Sequence, residues 1–103
     1  MSDPDVLHIA EIYYPSGALR SRYARYLSGD GTRWVRHGLC VGYHENGPVS
    51  SEGCYEHGLE HGEWSDYHSN GQLAARGNYD RGSETGIWSY RDPEGNLEAT
   101  EYK

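Results

Sequence analysis

One short segment of the chain has the letters of a metal-binding motif. Residues 57–61 read His-x-x-Glu-His, with the three ligand types at His57, Glu60 and His61. Such a motif holds metal when a helix brings its ligands onto one face, and Gly58 and Gly62 interrupt any helix here. The equivalent positions in the following repeat, 81 and 85, carry no histidine. We therefore predict a loop without a metal, and no other pattern in the chain indicates a cofactor.

No residue stands out as a catalytic nucleophile. Ser16, Ser69 and Ser83 lie at predicted turns, without the glycine pattern of a nucleophile elbow. The carboxylates are numerous, but no pair can be assigned two distinct environments, which acid and base catalysis requires. The sequence therefore predicts that the protein is not an enzyme.

The acidic residues are concentrated in one segment. The formal net charge is −7, made up of +1 over residues 1–40 and −8 over residues 41–103. Residues 44–66 contain six acids and neither lysine nor arginine, which favours attraction of a basic partner. The alternative is that the charges only keep a sheet protein soluble. The candidate partner-binding residues are Glu45, Glu52, Glu56, Glu60, Glu63 and Asp66. Alternation places Glu52 and Glu56 on one strand face, and we expect Glu60 and Glu63 to extend that patch.

The basic residues of segment 1–40 form the exception to this acidity. They are Arg20, Arg22, Arg25, Arg33 and Arg36. Their role stays open at this stage, because they could pair with acids elsewhere in the chain. The acidity of the remainder disfavours direct binding to nucleic acid or to an anionic membrane.

Glycine, tyrosine and tryptophan recur at one constant spacing, which indicates one structural unit stacked on copies of itself. The matched pairs are Gly47/Gly71, Gly53/Gly77, Tyr55/Tyr79, Gly58/Gly82, Gly62/Gly86 and Trp64/Trp88. We place a degenerate repeat at 12–40, repeats at 41–64 and 65–88, and a half-repeat at 89–103, in one domain spanning 1–103. Because Gly17 precedes Trp34 by the same interval as Gly47 precedes Trp64, we align the two tryptophans and place a short insertion at 36–41.

Alternating residues between Asn-Gly pairs predict β-hairpins. Asn46-Gly47 and Asn70-Gly71 favour two-residue type I′ turns, which need positive φ at both positions. A turn at 70–71 pairs Trp64 with Gly77, so we expect the indole to cover that glycine.

The same register predicts free cysteines. A turn at 46–47 pairs Cys40 with Gly53 and Cys54 with Leu39, which places the two thiols on opposite faces. A disulfide is then unfavourable. No signal peptide is recognisable, so the cytoplasm is the expected location.

The composition supports a thin sheet. Only 35% of the residues are hydrophobic, phenylalanine is absent, and 10 tyrosines and 3 tryptophans supply the aromatic side chains. We interpret the tryptophans as the core of that sheet, in preference to a platform for bases or sugars.

The repeat resembles the MORN family, in its bacterial variant form. The motif that carries the resemblance is Gly53-x-Tyr55-x-x-Gly58-x-x-x-Gly62-x-Trp64-x-x-Tyr67-x-x-Asn70-Gly71-x-Leu73, which recurs from Gly77. The resemblance implies an all-β fold, an elongated and twisted antiparallel sheet of successive hairpins. Bacterial proteins with these repeats are often labelled antitoxins or immunity proteins, whereas eukaryotic relatives are linked to membranes and scaffolding. Segment 1–40 departs from the pattern.

These observations together predict a protein-binding module. The leading hypothesis is an antitoxin or immunity protein whose acidic hairpin surface covers the active site of a basic toxin or effector. One alternative is a structural, scaffold or membrane-associated module. Another is an inhibitor that mimics the charge of nucleic acid. Exposed sheet edges also make a homo-oligomer conceivable.

Overall fold

The computed structural model describes residues 6–103, which form one antiparallel sheet of eight strands. The strands follow chain order across the sheet, so each pairs only with its neighbours in sequence. They are β1 (His8–Tyr13), β2 (Leu19–Leu27), β3 (Trp34–Tyr43), β4 (Val49–Glu56), β5 (Leu59–Tyr67), β6 (Leu73–Asp80), β7 (Ser83–Arg91) and β8 (Leu97–Tyr102). No helix occurs in the described residues, and the predicted all-β fold of successive hairpins is confirmed.

The sheet has a very small core. The molecule measures 48 × 36 × 17 Å, and its thinnest dimension is that of a single layer with its side chains. Among residues 6–103 the buried hydrophobic side chains are Ala24, Cys40, Ala75 and Trp88, and no large side chain is completely buried. Stability therefore depends on strand pairing and on local contacts between rings and backbone.

The predicted type I′ turns at the Asn-Gly pairs are wrong. Gly47 donates to the carbonyl of His44 and only the glycine has positive φ, so the loop is longer than a two-residue turn. A one-residue bulge beside Tyr43 offsets the longer loop. The predicted pairing therefore holds along most of the strand, including Cys40 with Gly53.

Two-residue turns with positive φ at both positions occur instead at the other end of the strands. His57 and Gly58 have φ of 48° and 89°, and Arg81 and Gly82 have 49° and 90°. Both turns join strands directly, since β4 ends at position 56 and β5 begins at 59, and β6 ends at 80 and β7 begins at 83. The glycines at 58 and 82 supply the conformation that this turn requires.

Each of the two regular units packs its tryptophan on a glycine of the preceding strand. Trp64 lies on Gly53 and Trp88 on Gly77, so closely that a methyl group at either glycine would overlap the indole. The Nε1 of Trp64 also donates to the carbonyl of Cys54 at 3.0 Å. The expectation that Trp64 covers Gly77 is wrong. The backbones of those two residues do pair, but the ring on Gly77 is that of Trp88.

A glycine bulge explains the direction in which the tryptophan points. Gly62, two positions before Trp64, has φ of 85°. Glu52 pairs with Ser65 and Cys54 pairs with His61. Between these two pairs β4 has one residue and β5 has three, so β5 bulges at this point. Bulges redirect the side chains beside them, and here the indole crosses toward β4.

The first unit keeps this plan but exchanges the large residue and the small one. Tyr23 on β2 pairs with Cys40 on β3, next to the same shift in register. Gly38 has φ of 101° and stands two positions before Cys40, as Gly62 stands before Trp64. Cys40 therefore occupies the tryptophan position, and the alignment of Trp34 with the later tryptophans is wrong.

The extra length of the first unit lies before Trp34, and not at 36–41 as predicted. The connection between β2 and β3 covers residues 28–33, whereas the later units have two-residue turns at this point. Trp34 is 45% exposed and packs between the Arg25 guanidinium at 4.0 Å and the His8 ring at 5.3 Å. The matching interval from Gly17 to Trp34 is coincidental, because it counts through this longer connection.

Side chains from the turns hold successive units together. The Nε2 of His44 lies 2.8 Å from the carbonyl oxygen of Tyr67, and His68 makes the same contact with Arg91. A carbonyl can only accept, so Nε2 carries the hydrogen in both rings. Tyr14 takes the corresponding place in the first unit and donates its hydroxyl hydrogen to a backbone carbonyl of β3.

Candidate functional site

The two faces of the sheet differ in chemistry. We call the face that carries Tyr55, Trp64, Tyr79 and Trp88 the aromatic face, since their rings follow one another edge to face at 5.2–6.0 Å. We call the opposite face the carboxylate face. Strand alternation assigns Glu52 to it, and this residue is exposed.

Three of the six predicted partner-binding acids lie on the carboxylate face. Glu52 and Glu56 project from β4 on either side of Cys54, as the alternation predicts, and all three residues are exposed. Glu63 joins them from β5, where its carboxylate is 3.9 Å from the guanidinium of Arg76. These three acids form one open patch on adjacent strands.

The other three acids lie elsewhere, so the predicted set does not form a single surface. Glu60 pairs with Tyr55 and Asp66 with Ser51, which places both acids on the aromatic face. Glu45 is exposed in the loop between β3 and β4. The expectation that Glu60 extends the patch of Glu52 and Glu56 is therefore wrong.

The position of Asp66 has an electrostatic cost. The residue as a whole is exposed, yet partial burial of its carboxyl group raises its pKa, and the nearby charge of Glu84 raises it further. A raised pKa means that the folded protein stabilises the charged carboxylate less well than water does. This property does not suit a residue that binds a basic partner through its charge.

The two histidines of the metal-like motif point to different neighbours. The Nδ1 of His57 is 2.8 Å from the Tyr26 hydroxyl, while the backbone amide of His57 donates to His37 at 3.0 Å. His61 instead accepts the Arg81 amide hydrogen at Nδ1 and presents Nε2 to Glu56 at 3.6 Å. Within residues 6–103 no three His, Cys, Asp or Glu side chains are grouped in a way that could hold a metal ion.

Most of the arginine cluster packs on aromatic rings. Only Arg22 forms an ion pair with a carboxylate of the described chain, at 2.6 Å from Glu11. Arg25 stacks on Trp34, as described above. Arg20 lies over the Tyr14 ring with 5.5 Å to its centroid. The possibility that the cluster pairs with acids elsewhere therefore applies to one arginine alone among residues 6–103.

Arg36 is the member of this cluster with the most specific surroundings. Its guanidinium carbon lies 4.2 Å from the centre of the Tyr23 ring and 5.5 Å from that of Tyr55. The later units carry Glu60 and Glu84 at the same position of the repeat. This position thus changes the sign of its charge between units, and this sequence signal could have singled out Arg36.

A groove opens on the aromatic face beside Arg36. Its volume is about 560 Å³, within the range of small-ligand sites. Small residues of β2, β3 and β4 form the floor. The walls are larger side chains. The lining comprises Ile12, Tyr14, Arg20, Ser21, Arg36, Cys40, Gly42, Tyr43, Ser50, Ser51, Tyr55 and Trp64.

A second cavity of about 540 Å³ lies at the turn end of the first strands, and Arg36 also contributes to its lining. Arg33, Trp34 and His57 are among its walls. Alternation places Tyr26, Val35 and Leu59 of this lining on the carboxylate face, so the second cavity does not continue the groove of the aromatic face.

The cysteines take the positions that the register predicts. Cys40 is buried opposite Gly53, and Cys54 is exposed opposite Leu39. Both are free thiols in the structure.

The protein is a hairpin-repeat module. Its hairpin units form one open sheet, and the contacts between units recur with the period of the sequence repeat. Residues 36–57 and 60–81 match the MORN repeat variant, and the two matched segments are offset by one period of that repeat. The central part of the chain is therefore similar to MORN repeat variants, which indicates a repeat module of a kind commonly involved in binding. No significant match was found among curated proteins or among solved structures. No helix of membrane-spanning length and apolarity is present in residues 6–103.

Proposed function

We propose that the protein binds a basic protein partner through the carboxylate face, and that it acts as an antitoxin or immunity protein. The observation that carries this proposal is the exposed patch of Glu52, Glu56 and Glu63 on two adjacent strands. In this mechanism the patch covers the basic cleft in which the partner binds its substrate, and so blocks access to it.

The architecture supports recognition by a preformed surface. Strand pairing and the contacts between turns fix the backbone that carries the three carboxylates. Like charges held close together on a rigid surface attract a basic partner and increase its association rate. His61 pairs with Cys54 and lies within the patch near Glu56, and Arg76 lies near Glu63. Glu52 has no cation within ion-pair distance in the described chain.

The test uses two sets of variants of matched chemistry. Glu52→Gln, Glu56→Gln and Glu63→Gln are combined to neutralise the carboxylate face. Glu60→Gln and Asp66→Asn, which neutralise acids of the same hairpin on the aromatic face, serve as the control. The partner is isolated from the native host with the unmodified protein, and association rates are then measured at low and high salt.

We expect the triple variant to associate about tenfold more slowly at low salt, with a smaller difference at high salt. The control should stay within about twofold of the parent, since rim charges act mainly through the local field. Equal rates for all three proteins would remove the carboxylate face from the mechanism.

The antitoxin role has a separate test by co-expression. The partner alone should arrest growth, the parent protein should restore it, and the triple variant should restore it less. A partner that binds with the expected salt dependence but does not impair growth would favour a scaffold role.

A further inference from the structure

The aromatic face carries a cluster of cations that is separate from the carboxylate face. Its centre is Arg36, whose guanidinium is stacked with Tyr23 and Tyr55. No carboxylate of residues 6–103 lies within ion-pair distance of Arg36 or Arg20. An arginine that lies over aromatic rings can still direct its planar set of N–H donors at a carboxylate.

The exchange of residues in the first unit helps to create this site. In the regular units the tryptophan position holds a large indole, at Trp64 and Trp88. In the first unit the same position holds Cys40, and the groove floor continues over Gly42 and Ser51. Cys40 is thus one of the small residues that line the groove, while Tyr23, the large residue of the exchanged pair, lies against Arg36.

Bulges add polar groups to the walls of the groove. Arg20 is the unpaired residue of the bulge between β1 and β2, and Ser50 is the corresponding residue between β3 and β4. Strict alternation would place Arg20 on the face of Arg22, yet Arg20 lines the groove. The bulge therefore brings a second free cation to the same site as Arg36.

We propose that this groove binds an acidic peptide segment of a partner protein in an extended conformation, with a carboxylate on Arg36. The groove offers two separate cations, Arg20 and Arg36, within one lining. Two spaced cations suit a chain with spaced carboxylates better than a single small anion. The rings of Tyr14, Tyr55 and Trp64 provide apolar contact for the side chains between them.

The rest of the aromatic face favours a peptide over nucleic acid. Beyond the groove the same face carries Glu60, Asp66 and Glu84. A continuous phosphate backbone that left the groove in this direction would meet those charges, whereas a short acidic segment ends before them. The site lies on the face opposite Glu52, so its failure and that of the proposed function are distinguishable.

The test measures binding of a fluorescent, capped heptapeptide in which glutamate alternates with tyrosine and serine. The comparison probes are the same peptide with glutamine for glutamate, and an oligothymidylate of similar length. The protein variants are Arg36→Gln, Arg36→Lys and Arg20→Gln. Arg81→Gln, at an exposed turn outside both cavities, is the matched control.

We expect the glutamate peptide to bind at least about tenfold more tightly than the glutamine peptide, with affinity falling as salt rises. Arg36→Gln should weaken binding about tenfold and Arg20→Gln about threefold. Arg36→Lys should lie between the parent and Arg36→Gln, because lysine keeps the charge but loses the planar donors. Arg81→Gln should bind as the parent does, and thermal unfolding should show that all four variants are folded.

Three results would overturn the proposal. The first is equal affinity for the glutamate and glutamine peptides. The second is an equal loss of binding in the Arg81→Gln control and in Arg36→Gln. The third is tighter binding of oligothymidylate than of the glutamate peptide, with the same dependence on Arg36, which would indicate a single-stranded nucleic-acid site. An Arg36→Gln variant that does not fold leaves Arg36→Lys and Arg20→Gln to decide.

Discussion

The hairpin of β2 and β3 and the hairpin of β4 and β5 build the same position of the repeat in two different ways. In β4 and β5 a glycine lies beneath an indole, at Gly53 and Trp64. In β2 and β3 the large residue is on the first strand and the small one on the second, at Tyr23 and Cys40. Both hairpins have the same shift in strand register next to this pair of residues.

This difference shows that the repeat keeps its backbone plan more strictly than its side chains. The positive-φ glycine at 38, 62 and 86 recurs in all three units. By contrast, the residue two positions before it changes from Arg36 to Glu60 and Glu84. The first unit thus keeps the geometry of the sheet while it carries a surface of different size and opposite charge.

Removing a tryptophan should distinguish a regular unit from the first unit most strongly. Trp88 is only 3% exposed and lies on Gly77, so Trp88→Ala should cost about 3–5 kcal/mol of unfolding free energy. Trp34 is 45% exposed and outside the repeat position, so Trp34→Ala should cost about 1 kcal/mol. Chemical denaturation followed by circular dichroism measures both. Equal losses would mean that Trp34 belongs to the same series after all.

A methyl group beneath an indole should have the next largest effect. Gly77→Ala places a Cβ within the space of Trp88, and we expect a loss of about 1–3 kcal/mol. Gly29→Ala is the control, because Gly29 has ordinary φ and nothing near its added methyl group. An unchanged melting temperature for Gly77→Ala would contradict the packing described for the regular units.

The strand pairing could be predicted from the sequence because two features offset each other. The loop at Asn70-Gly71 is longer than a type I′ turn, and the bulge beside Tyr67 restores the predicted pairing of Trp64 with Gly77. The direction of the indole could not be predicted in this way. It depends on the bulge at Gly62, and a pairing rule based on regular strands contains no bulge.

The candidate sites were predictable to different degrees. Alternation along β4 placed Glu52 and Glu56 on one face correctly, since that strand is regular at both positions. Glu60 follows a turn and precedes a bulge, so a grouping by sequence proximity put it on the wrong face. The role of Arg36 depends on rings from β2 and β4, and the longer connection at 28–33 obscured its alignment with Glu60.

The smallest expected effects are pH-dependent and have opposite signs in the two regions. Hydrogen bonds from Ser28 and Thr32 lower the pKa of Asp30 to about 2, from an ordinary value of 3.8. Its stabilising contribution is therefore present above pH 3.8 and is lost as the pH falls toward 2. Asp30→Asn should lower the melting temperature at pH 7, and the difference from the parent should disappear over that interval.

Asp66 should show the reverse behaviour. Partial burial and the charge of Glu84 raise its pKa above 3.8, so the charged form disfavours folding. Its contribution to stability is complete below pH 3.8 and is lost as the pH rises through the raised pKa. Asp66→Asn should raise the melting temperature slightly at pH 7 and leave it unchanged below the ordinary pKa. A lower melting temperature at pH 7 would show that the carboxylate is stabilising.

A double-mutant cycle across β2 and β3 tests the central claim, that the first unit is the same repeat with its large and small residues exchanged. Cys40→Trp alone should destabilise the protein by overpacking against Tyr23, and Tyr23→Gly alone should destabilise it by leaving a gap, each by roughly 2 kcal/mol. The double variant recreates the pair seen at Gly53 and Trp64. We predict that it is more stable than either single variant, with a favourable coupling of more than about 1 kcal/mol. Additive losses in the unfolding free energy would contradict the exchange.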